Sequence, residues 1–425
     1  MTILAFAAGV ATTTNSTIAV GQTQTVLYSF AGGADGAYPY AGLTADGNGN
    51  FFGTTSQGGT GKCGSGGNAG CGAVFELSPA SSGGWTEKVL YSFTNSPDGA
   101  DPMAGVVLDG KGNLYGTTAA GGFVSGFCNS GCGTIFQLSP SAAGTWKETV
   151  LYKFHGFPIG DGALPYAGLI FDSVGNLYGT TGDDGSESLG SVFELSPKSS
   201  GGWMLFTLAR FKGANGQGPV GGVIFDSKGN LYGTTAEGGA NSNLDGSEGT
   251  VFELSPQGNG GWIERVLYSF GSKPNDGYNP RAGLAMDNSG HMFGTTFNTD
   301  AGANGGSVFE VALAQGQWKE WIVHNFPSQV GYDGLSPTAG VTFDSAGNLY
   351  GTTGQGGRDE RGTVFKLTNT GGGNWSENTL PYSFTGGSDG SQPAAGVILD
   401  AAGNIYGTTV SGGQNGFGVV FEITP

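Results

Sequence analysis

The sequence predicts an all-β protein, a seven-bladed β-propeller with four antiparallel strands in each blade. Three observations lead to this prediction. Glycine and proline supply 86 and 17 of the 425 residues, and each glycine in a helix costs about 1 kcal/mol relative to alanine. Two sequence motifs each recur seven times, and the two ends of the chain supply strands that complete one another. Because 37% of the residues are hydrophobic, the chain can still build a large core.

The first motif is Asn-Leu-Tyr-Gly-Thr-Thr, with phenylalanine variants in two copies. Its aromatic positions are spaced 54 to 63 residues apart, at 52, 115, 178, 232, 293, 350 and 406. The second motif, Val-Phe-Glu-Leu and its variants, follows each copy of the first, starting at Val74, Ile135, Val192, Val251, Val308, Val364 and Val420. A period of this length is typical of propellers and solenoids.

Each unit contains four short segments, which are separated from one another by residues typical of turns. The first is an Ala-Gly-Leu or Ala-Gly-Val run that ends at an aspartate, as in residues 167–172. A tight Asp-x-x-Gly-Asn turn leads to the second, as in 176–181, where glycine supplies the positive φ of a hairpin. The third is Gly-Thr/Ser-Val-Phe-Glu-Leu-Ser-Pro, and the fourth begins at tryptophan, as in 262–270. Four antiparallel strands repeated seven times predict a propeller.

The chain ends indicate that the ring closes. Residues 25–30 read as an isolated fourth strand, whereas the chain stops at residue 425 after a third strand. We expect the N-terminal strand to complete the last blade, which removes unpaired sheet edges. Residues 23–425 are therefore predicted to form one domain, and residues 1–22 an export-signal remnant or flexible segment. No stretch reaches the roughly 20 apolar residues needed to cross a bilayer, so no membrane span is expected.

The two motifs together resemble those of the GloVer tandem-repeat family of secreted bacterial β-propeller proteins. The resemblance extends from Thr25 to Pro425. It implies export and a secreted or cell-surface location. It implies no catalytic residue.

The charge balance excludes one class of partner. The chain has 16 lysines and arginines against 33 aspartates and glutamates, a net charge of −17. Nucleic acids and anionic lipids are bound largely through counterion release by cationic side chains. We therefore expect no nucleic acid partner.

Four cysteines occur as two close pairs, Cys63 with Cys71 and Cys128 with Cys132. Sequence alone allows three pairings. Local disulfides are favoured because each would close one glycine-rich loop in an oxidising compartment. A zinc site is the competing interpretation, although the spacing common in structural zinc sites is absent.

The long, variable loops are where a functional site is expected. If the first strand of each blade lines the channel, the fourth-to-first and second-to-third loops share one face. The residue after each blade's proline would rim the channel on that face. Tyr40, Tyr166 and Arg281 are candidates for stacking on a neutral sugar and donating to it, and packing against nearby loops is the alternative. The seven rim positions are Tyr40, Met103, Tyr166, Val220, Arg281, Thr338 and Ala394.

A repeating aspartate precedes glycine shortly before the proline. It occurs at Asp35, Asp98, Asp161, Asp276, Asp333 and Asp389, and Asn215 replaces it in the fourth blade. One interpretation is a turn in which the carboxylate caps backbone amides. The other is a ring of carboxylates at the channel mouth that binds cations or sugar hydroxyls, with Asp161, Asp276 and Asp333 as ligand-binding candidates.

Carboxylates that do not repeat gather in the second-to-third loops of the third to sixth blades. A pair facing one cavity would suit glycoside hydrolysis, and the candidates are Asp183, Glu237, Asp300 and Glu360. Ca²⁺ is the one cofactor that the sequence suggests. Asn241, Asn243 and Asp245 form an incomplete calcium loop, which lacks the acidic first and twelfth positions.

These features lead to three hypotheses. The first is a secreted or surface propeller that binds a neutral polysaccharide or a surface protein through the long-loop face. The second is a secreted glycoside hydrolase or polysaccharide lyase that uses the loop carboxylates. The third is a subunit of an extracellular assembly in which residues 1–22 add to a neighbour's sheet.

Overall fold

The structure, a computed structural model, describes residues 23–63, 70–142, 144–183, 189–241, 248–258, 260–273, 276–299, 305–326, 333–377 and 382–424. Over these residues the chain forms seven antiparallel blade sheets, two short two-stranded sheets and no helix, and six of the blade sheets take their strands in chain order. The seventh sheet is completed by the N-terminal strand, which pairs with the last strand of the chain. The predicted seven-bladed propeller and its closure are confirmed.

The strands occupy four equivalent places in the seven blades. The innermost strands are Thr44–Ala45, Val107–Leu108, Ile170–Phe171, Ile224–Phe225, Ala285–Met286, Thr342–Phe343 and Ile398–Leu399. The second strands are Phe51–Thr55, Leu114–Thr118, Leu177–Thr181, Leu231–Thr235, Met292–Thr296, Leu349–Thr353 and Ile405–Thr409. The third strands are Ala73–Pro79, Thr134–Pro140, Ser191–Pro197, Thr250–Pro256, Ser307–Ala314, Thr363–Gly371 and Val419–Thr424. The outermost strands are Trp85–Ser92, Trp146–Lys153, Trp203–Arg210, Trp262–Ser269, Gln317–Asn325, Asn374–Glu377 with Tyr382–Ser383, and Thr23–Ser29.

Two short ribbons lie beside blades 5 and 6. One pairs Gly277–Tyr278 with Asn298–Thr299, and the other pairs Gly334–Leu335 with Gln355–Gly356. Both join a fourth-to-first loop to a second-to-third loop, so these two sets of loops lie on the same face.

The Gly-Thr-Thr of the first motif is explained by three contacts. A Cβ atom at Gly179 would lie 2.6 Å from the ring of Phe193 on the third strand. The first threonine bonds the next blade, as where Thr117 Oγ1 donates to the Ala167 carbonyl at 2.9 Å. The second bonds within its own blade, as where the Thr118 and Thr134 hydroxyls lie 2.9 Å apart. The motif therefore recurs because it builds the blade and its junction.

The innermost strands are shorter than the Ala-Gly-Leu run predicts, with two paired residues in each blade. The alanine carbonyl at the start of the run accepts a threonine hydroxyl from the preceding blade, so it bonds across the blade boundary. At the following glycine the backbones of neighbouring blades lie close together. A Cβ atom at Gly105 would lie 3.0 Å from the Gly42 carbonyl oxygen.

The core consists of seven clusters, each between adjacent blades. Phenylalanine pairs in edge-to-face geometry recur in them, as with Phe93 and Phe136 at 5.0 Å. The repeating tryptophans pack across the boundary, as Trp146 does on Phe52. The core is therefore a ring of interfaces, because each blade has two apolar faces to bury.

Disulfides join Cys63 to Cys71 and Cys128 to Cys132. The expected local pairings are confirmed, and zinc is excluded as the function of these cysteines. Among the described residues, no helix is long and apolar enough to cross a membrane.

Candidate ligand-binding cavity

A cavity of about 600 Å³ opens on the face that carries the long loops. Its lining includes one rim residue from every blade, so the cavity lies on the axis of the ring. All seven predicted rim positions line it, namely Tyr40, Met103, Tyr166, Val220, Arg281, Thr338 and Ala394. The volume lies within the usual range for small-ligand sites.

The backbone of the rim is held in one conformation in every blade. The residue before the rim proline is left-handed in all seven, with φ between 54° and 62°, at Tyr38, Asp101, Leu164, Gly218, Asn279, Ser336 and Gln392. The Asp101 N–H donates to the Cys71 carbonyl of the preceding blade, and its own carbonyl accepts from Ala119. A left-handed non-glycine residue costs roughly 1 kcal/mol or more. These paired hydrogen bonds offset that cost and fix where each rim side chain starts.

A second set of equivalent positions lies two residues after the end of each second strand. The backbone of each is bridged to the fourth-to-first loop, as Asp183 is to Ala163 and Glu237 is to Gln217. Across the blades the residues are Gln57, Ala120, Asp183, Glu237, Asn298, Gln355 and Ser411. Acids occur in blades 3 and 4 alone of these seven positions. Both acids line the cavity.

Tyr40 and Tyr166 are each 38% exposed, so both present aromatic surface to the cavity. The ring of Tyr166 packs over Gly182, where a Cβ atom would lie 3.0 Å from the ring. Burial, and then the carboxylates of Asp101 and Asp183, raise the pKa of Tyr166 above its ordinary value. The phenol therefore stays neutral and keeps its proton as a hydrogen-bond donor.

Arg281 supplies the cavity's guanidinium. This group lies 4.3 Å from the centre of the Phe297 ring, and its Nε donates to the Asn279 side-chain oxygen. Asn279 in turn donates to the Ala236 carbonyl at 3.0 Å. Glu237 accepts from Gln217 Nε2 at 2.7 Å. The polar half of the cavity is thus built by blades 3 to 5.

The repeating aspartates do not line the cavity. Asp161 is 7% exposed and accepts from the Tyr152 hydroxyl at 2.7 Å and from the His155 and Gly156 amides at 3.0 Å. Asp276 is fully buried and accepts from the Tyr268 hydroxyl at 2.7 Å and the Ser272 amide at 2.8 Å.

Asp333 follows the same pattern, with His324 Nε2 at 3.3 Å and the Gly334 amide at 2.8 Å. The expectation that Asp161, Asp276 and Asp333 bind ligand at the channel mouth is therefore corrected. Their carboxylates accept hydrogen bonds from the outermost strand and from local amides, which is the capping alternative, although the buried Oδ1 atom of Asp276 has no hydrogen-bond partner among the described residues.

Sequence reasoning missed a set of carboxyl groups between blades. Burial, and then the Asp35 carboxylate, raise the pKa of Glu87 to about 7. Glu148 behaves likewise, with a pKa raised to about 7 by burial and then by Asp98. The signal was present in the recurrence of Trp-x-Glu alongside Asp-Gly, but the two motifs lie some fifty residues apart.

At two other blade boundaries the equivalent glutamate has a different partner. The Asn215 amide donates to both carboxylate oxygens of Glu264, at 3.0 and 2.7 Å. Lys273 forms an ion pair with the buried Glu320. In blade 4 the Asn215 amide thus takes the place of the repeating aspartate. In blade 5 that aspartate, Asp276, is present, and the Lys273 ammonium group lies beside the glutamate as well.

Neither of the remaining candidates that the structure describes, Glu360 and Asn241, lines the cavity. Glu360 has a left-handed φ of 58° and is not among the lining residues. Asp300, Asn243 and Asp245 lie outside the described residues. Asn241 donates its amide to the Ser269 carbonyl at 2.9 Å. Within the described part of the chain, no three His, Cys, Asp or Glu residues are grouped as metal ligands.

Fold and cavity together define a ring-closed β-propeller with one ligand-sized cavity on its axis. The chain matches the Gloeobacter/Verrucomicrobia repeat over residues 61–305 and 286–425, and it belongs to that family. No curated protein matches it significantly.

Several solved structures are similar to this chain at low sequence identity. PorZ, a surface component of the type-IX secretion system of Porphyromonas gingivalis, is 14% identical with a TM-score of 0.51, and the match covers 93% of this chain and 47% of PorZ. A Thermus thermophilus protein described as a putative glucose dehydrogenase is 15% identical with a TM-score of 0.45, covering 75% and 95%. The α-L-arabinanase of Penicillium chrysogenum is 14% identical with a TM-score of 0.43, covering 75% and 91%. At 14% identity the likeness to PorZ shows the fold alone.

Proposed function

We propose that this propeller binds an extracellular polysaccharide in the axial cavity. The observation that carries the proposal is the convergence of two half-exposed tyrosines with charged and amide groups in one cavity of ligand size. Aromatic rings offer flat apolar surface to a sugar ring, and a few placed polar groups orient its hydroxyls. The two disulfides support a secreted or cell-surface location, because disulfides persist in oxidising compartments.

The test is retention of the purified protein on a panel of insoluble and soluble polysaccharides. We expect Tyr40→Ala, Tyr166→Ala and Arg281→Ala each to weaken retention by about tenfold, since truncating an anchor residue in a pocket costs more than about 1 kcal/mol. Phe206→Ala is the matched control, because Phe206 is 44% exposed on the outermost strand of blade 3 and does not line the cavity. Unchanged retention in all three cavity variants contradicts the proposal.

A glycoside hydrolase or lyase is the second candidate. It is favoured by one observation, that Asp183 and Glu237 line the same cavity from neighbouring blades. Two carboxylates about 5 to 10 Å apart can serve as acid and as nucleophile or base. New chain ends in the retention assay, abolished by Asp183→Asn or Glu237→Gln, would establish the enzyme. Retention without new ends supports a binding protein.

A surface protein is the alternative partner for the same face. This alternative would be favoured if no polysaccharide retained the protein or gained new chain ends, and if the protein captured one surface protein that the Tyr166→Ala variant no longer captures. The long loops and the rim would then act as a protein interface.

A further inference from the structure

We infer that the polysaccharide carries protonated amino groups, as a polymer of glucosamine does. This inference rests on the proposed function and refines the neutral sugar that the sequence favoured. It follows from where the fold places charge around the cavity.

The carboxylates occupy built positions. Asp183 and Glu237 are equivalent residues of adjacent blades, and each is fixed by a backbone bridge to the neighbouring loop. The other five blades carry neutral residues at this position. Two adjacent blades therefore each contribute one carboxylate to the lining of the cavity, and the fold does not require an acid at this position because the other five blades lack one.

The aromatic surface lies beside one of these carboxylates. Tyr166 belongs to the same blade as Asp183 and packs on Gly182 beside it. The Asp101 carboxylate acts on Tyr166 from blade 2. A cation above a tyrosine ring is attracted by the ring's negative face, and neighbouring carboxylates deepen that attraction. A sugar that stacks on Tyr166 places an amino substituent in this field.

The one guanidinium in the lining does not reverse the balance. Arg281 is held over Phe297 and by Asn279, on the side of blade 5. Among the described residues, the lining has two carboxylates and one guanidinium, within a chain of net charge −17. The potential at the cavity favours a cationic ligand over its neutral counterpart.

The experiment compares two hexamers that share one backbone and differ at the C2 nitrogen, β-1,4-linked glucosamine with protonated amines and its uncharged, fully N-acetylated form. Titration calorimetry at about pH 6 keeps the amines largely protonated. We expect the glucosamine hexamer to bind up to about fivefold more tightly, as one exposed ion pair worth up to about 1 kcal/mol implies. The preference should vanish in about 1 M salt, where the screening length is about 3 Å.

The variants Asp183→Asn and Glu237→Gln should each weaken binding of the glucosamine hexamer more than binding of the acetylated hexamer, and so reduce the preference. Glu360→Gln is the matched control, since it removes one loop carboxylate that does not line the cavity. Equal or tighter binding of the acetylated hexamer overturns the inference and leaves the proposed function standing. Binding of neither hexamer overturns the inference, and a negative polysaccharide panel in addition overturns the proposed function.

Discussion

The Thr408 hydroxyl of blade 7 donates to the Ala41 carbonyl of blade 1 at 2.8 Å, across 367 residues of chain. The same bond joins every other pair of adjacent blades, as Thr54 joins blade 1 to Ala104 of blade 2 at 2.9 Å. Ring closure therefore uses the ordinary junction of the repeat, with the N-terminal strand added in blade 7. This relationship makes the junction testable.

Replacing Thr408 with valine should lower the free energy of unfolding by about 1 to 3 kcal/mol. The substitution keeps the shape but leaves the buried Ala41 carbonyl without its donor. Chemical denaturation measures the change. Thr370→Val is the control, since the Thr370 hydroxyl bonds the Asn374 carbonyl at an exposed site and should cost far less. An equal loss in both variants would argue against a special role for the junction.

The glycine of each Ala-Gly-Leu or Ala-Gly-Val run has different space in different blades, so the same glycine-to-alanine substitution should have different effects in two of them. A Cβ atom at Gly340 would lie 2.7 Å from the Gly283 carbonyl oxygen, whereas one at Gly168 would lie 3.7 Å from that of Gly105. Gly340→Ala should destabilise the protein by about 1 to 3 kcal/mol through overpacking. Gly168→Ala should be neutral or stabilise it by up to about 1 kcal/mol, because alanine restricts the unfolded chain. Melting temperatures of the two variants decide the matter, and a reversed order would refute the close approach.

The interblade carboxyl groups predict that stability falls as pH rises from about 4.5 to about 7. Glu87 and Glu148 have pKa values raised from 4.5 to about 7, so folding holds protons that the unfolded chain releases in this window. A raised pKa contributes stability below the unfolded value, and that contribution is lost as pH rises through the folded value. Above about pH 7 the loss is complete.

The double variant Glu87→Gln and Glu148→Gln should flatten this part of the profile and melt higher than the parent at pH 8. Thermal melts at pH 5 and pH 8 measure the difference. The turn aspartates have the opposite sign, as with Asp109, whose pKa is lowered overall because hydrogen bonds outweigh its burial. Their contribution is lost below about pH 4, outside the window. A pH profile unchanged by the double variant would contradict the prediction.

Removing the Cys128–Cys132 disulfide should cost about 2 kcal/mol, the chain-entropy value for so short a loop. The variant replaces both cysteines with alanine, and denaturation with and without reductant measures the change. The parent should lose stability on reduction, from this disulfide and from Cys63–Cys71, and the variant should lose less. Equal losses on reduction would mean that this loop adds nothing to global stability.

Most of the scaffold was predictable because the residues that each turn and strand needs recur in all or most of the seven units. The hairpin glycines, the tryptophan at the start of the outermost strand and the unpaired strand at each chain end all have local causes. The seven rim positions were found by counting from a proline. The innermost strand was predicted too long, because its alanine carbonyl bonds a threonine in another blade and no local pattern records this.

The functional residues were harder to predict for a related reason. Asp161 looks like a site residue in the sequence, and only its contacts with Tyr152 and His155 show that it caps a turn. Glu87 looks like an ordinary strand residue, and only the packing of two blades places it beside Asp35. Burial and partnership depend on residues far away in the chain.

The sequence by itself determined the number of blades, the order of their strands, the closure of the ring and the face that carries the long loops. These follow from short-range preferences for turns and alternating burial, repeated with a regular period. Only the tertiary structure decided which variable side chains share one cavity. Tyr40 and Arg281 are over two hundred residues apart in the chain and meet because the ring brings every blade to a common axis. The local structure of each blade fixes the backbone position of its rim residue, and closure of the ring determines which residues of other blades that side chain faces.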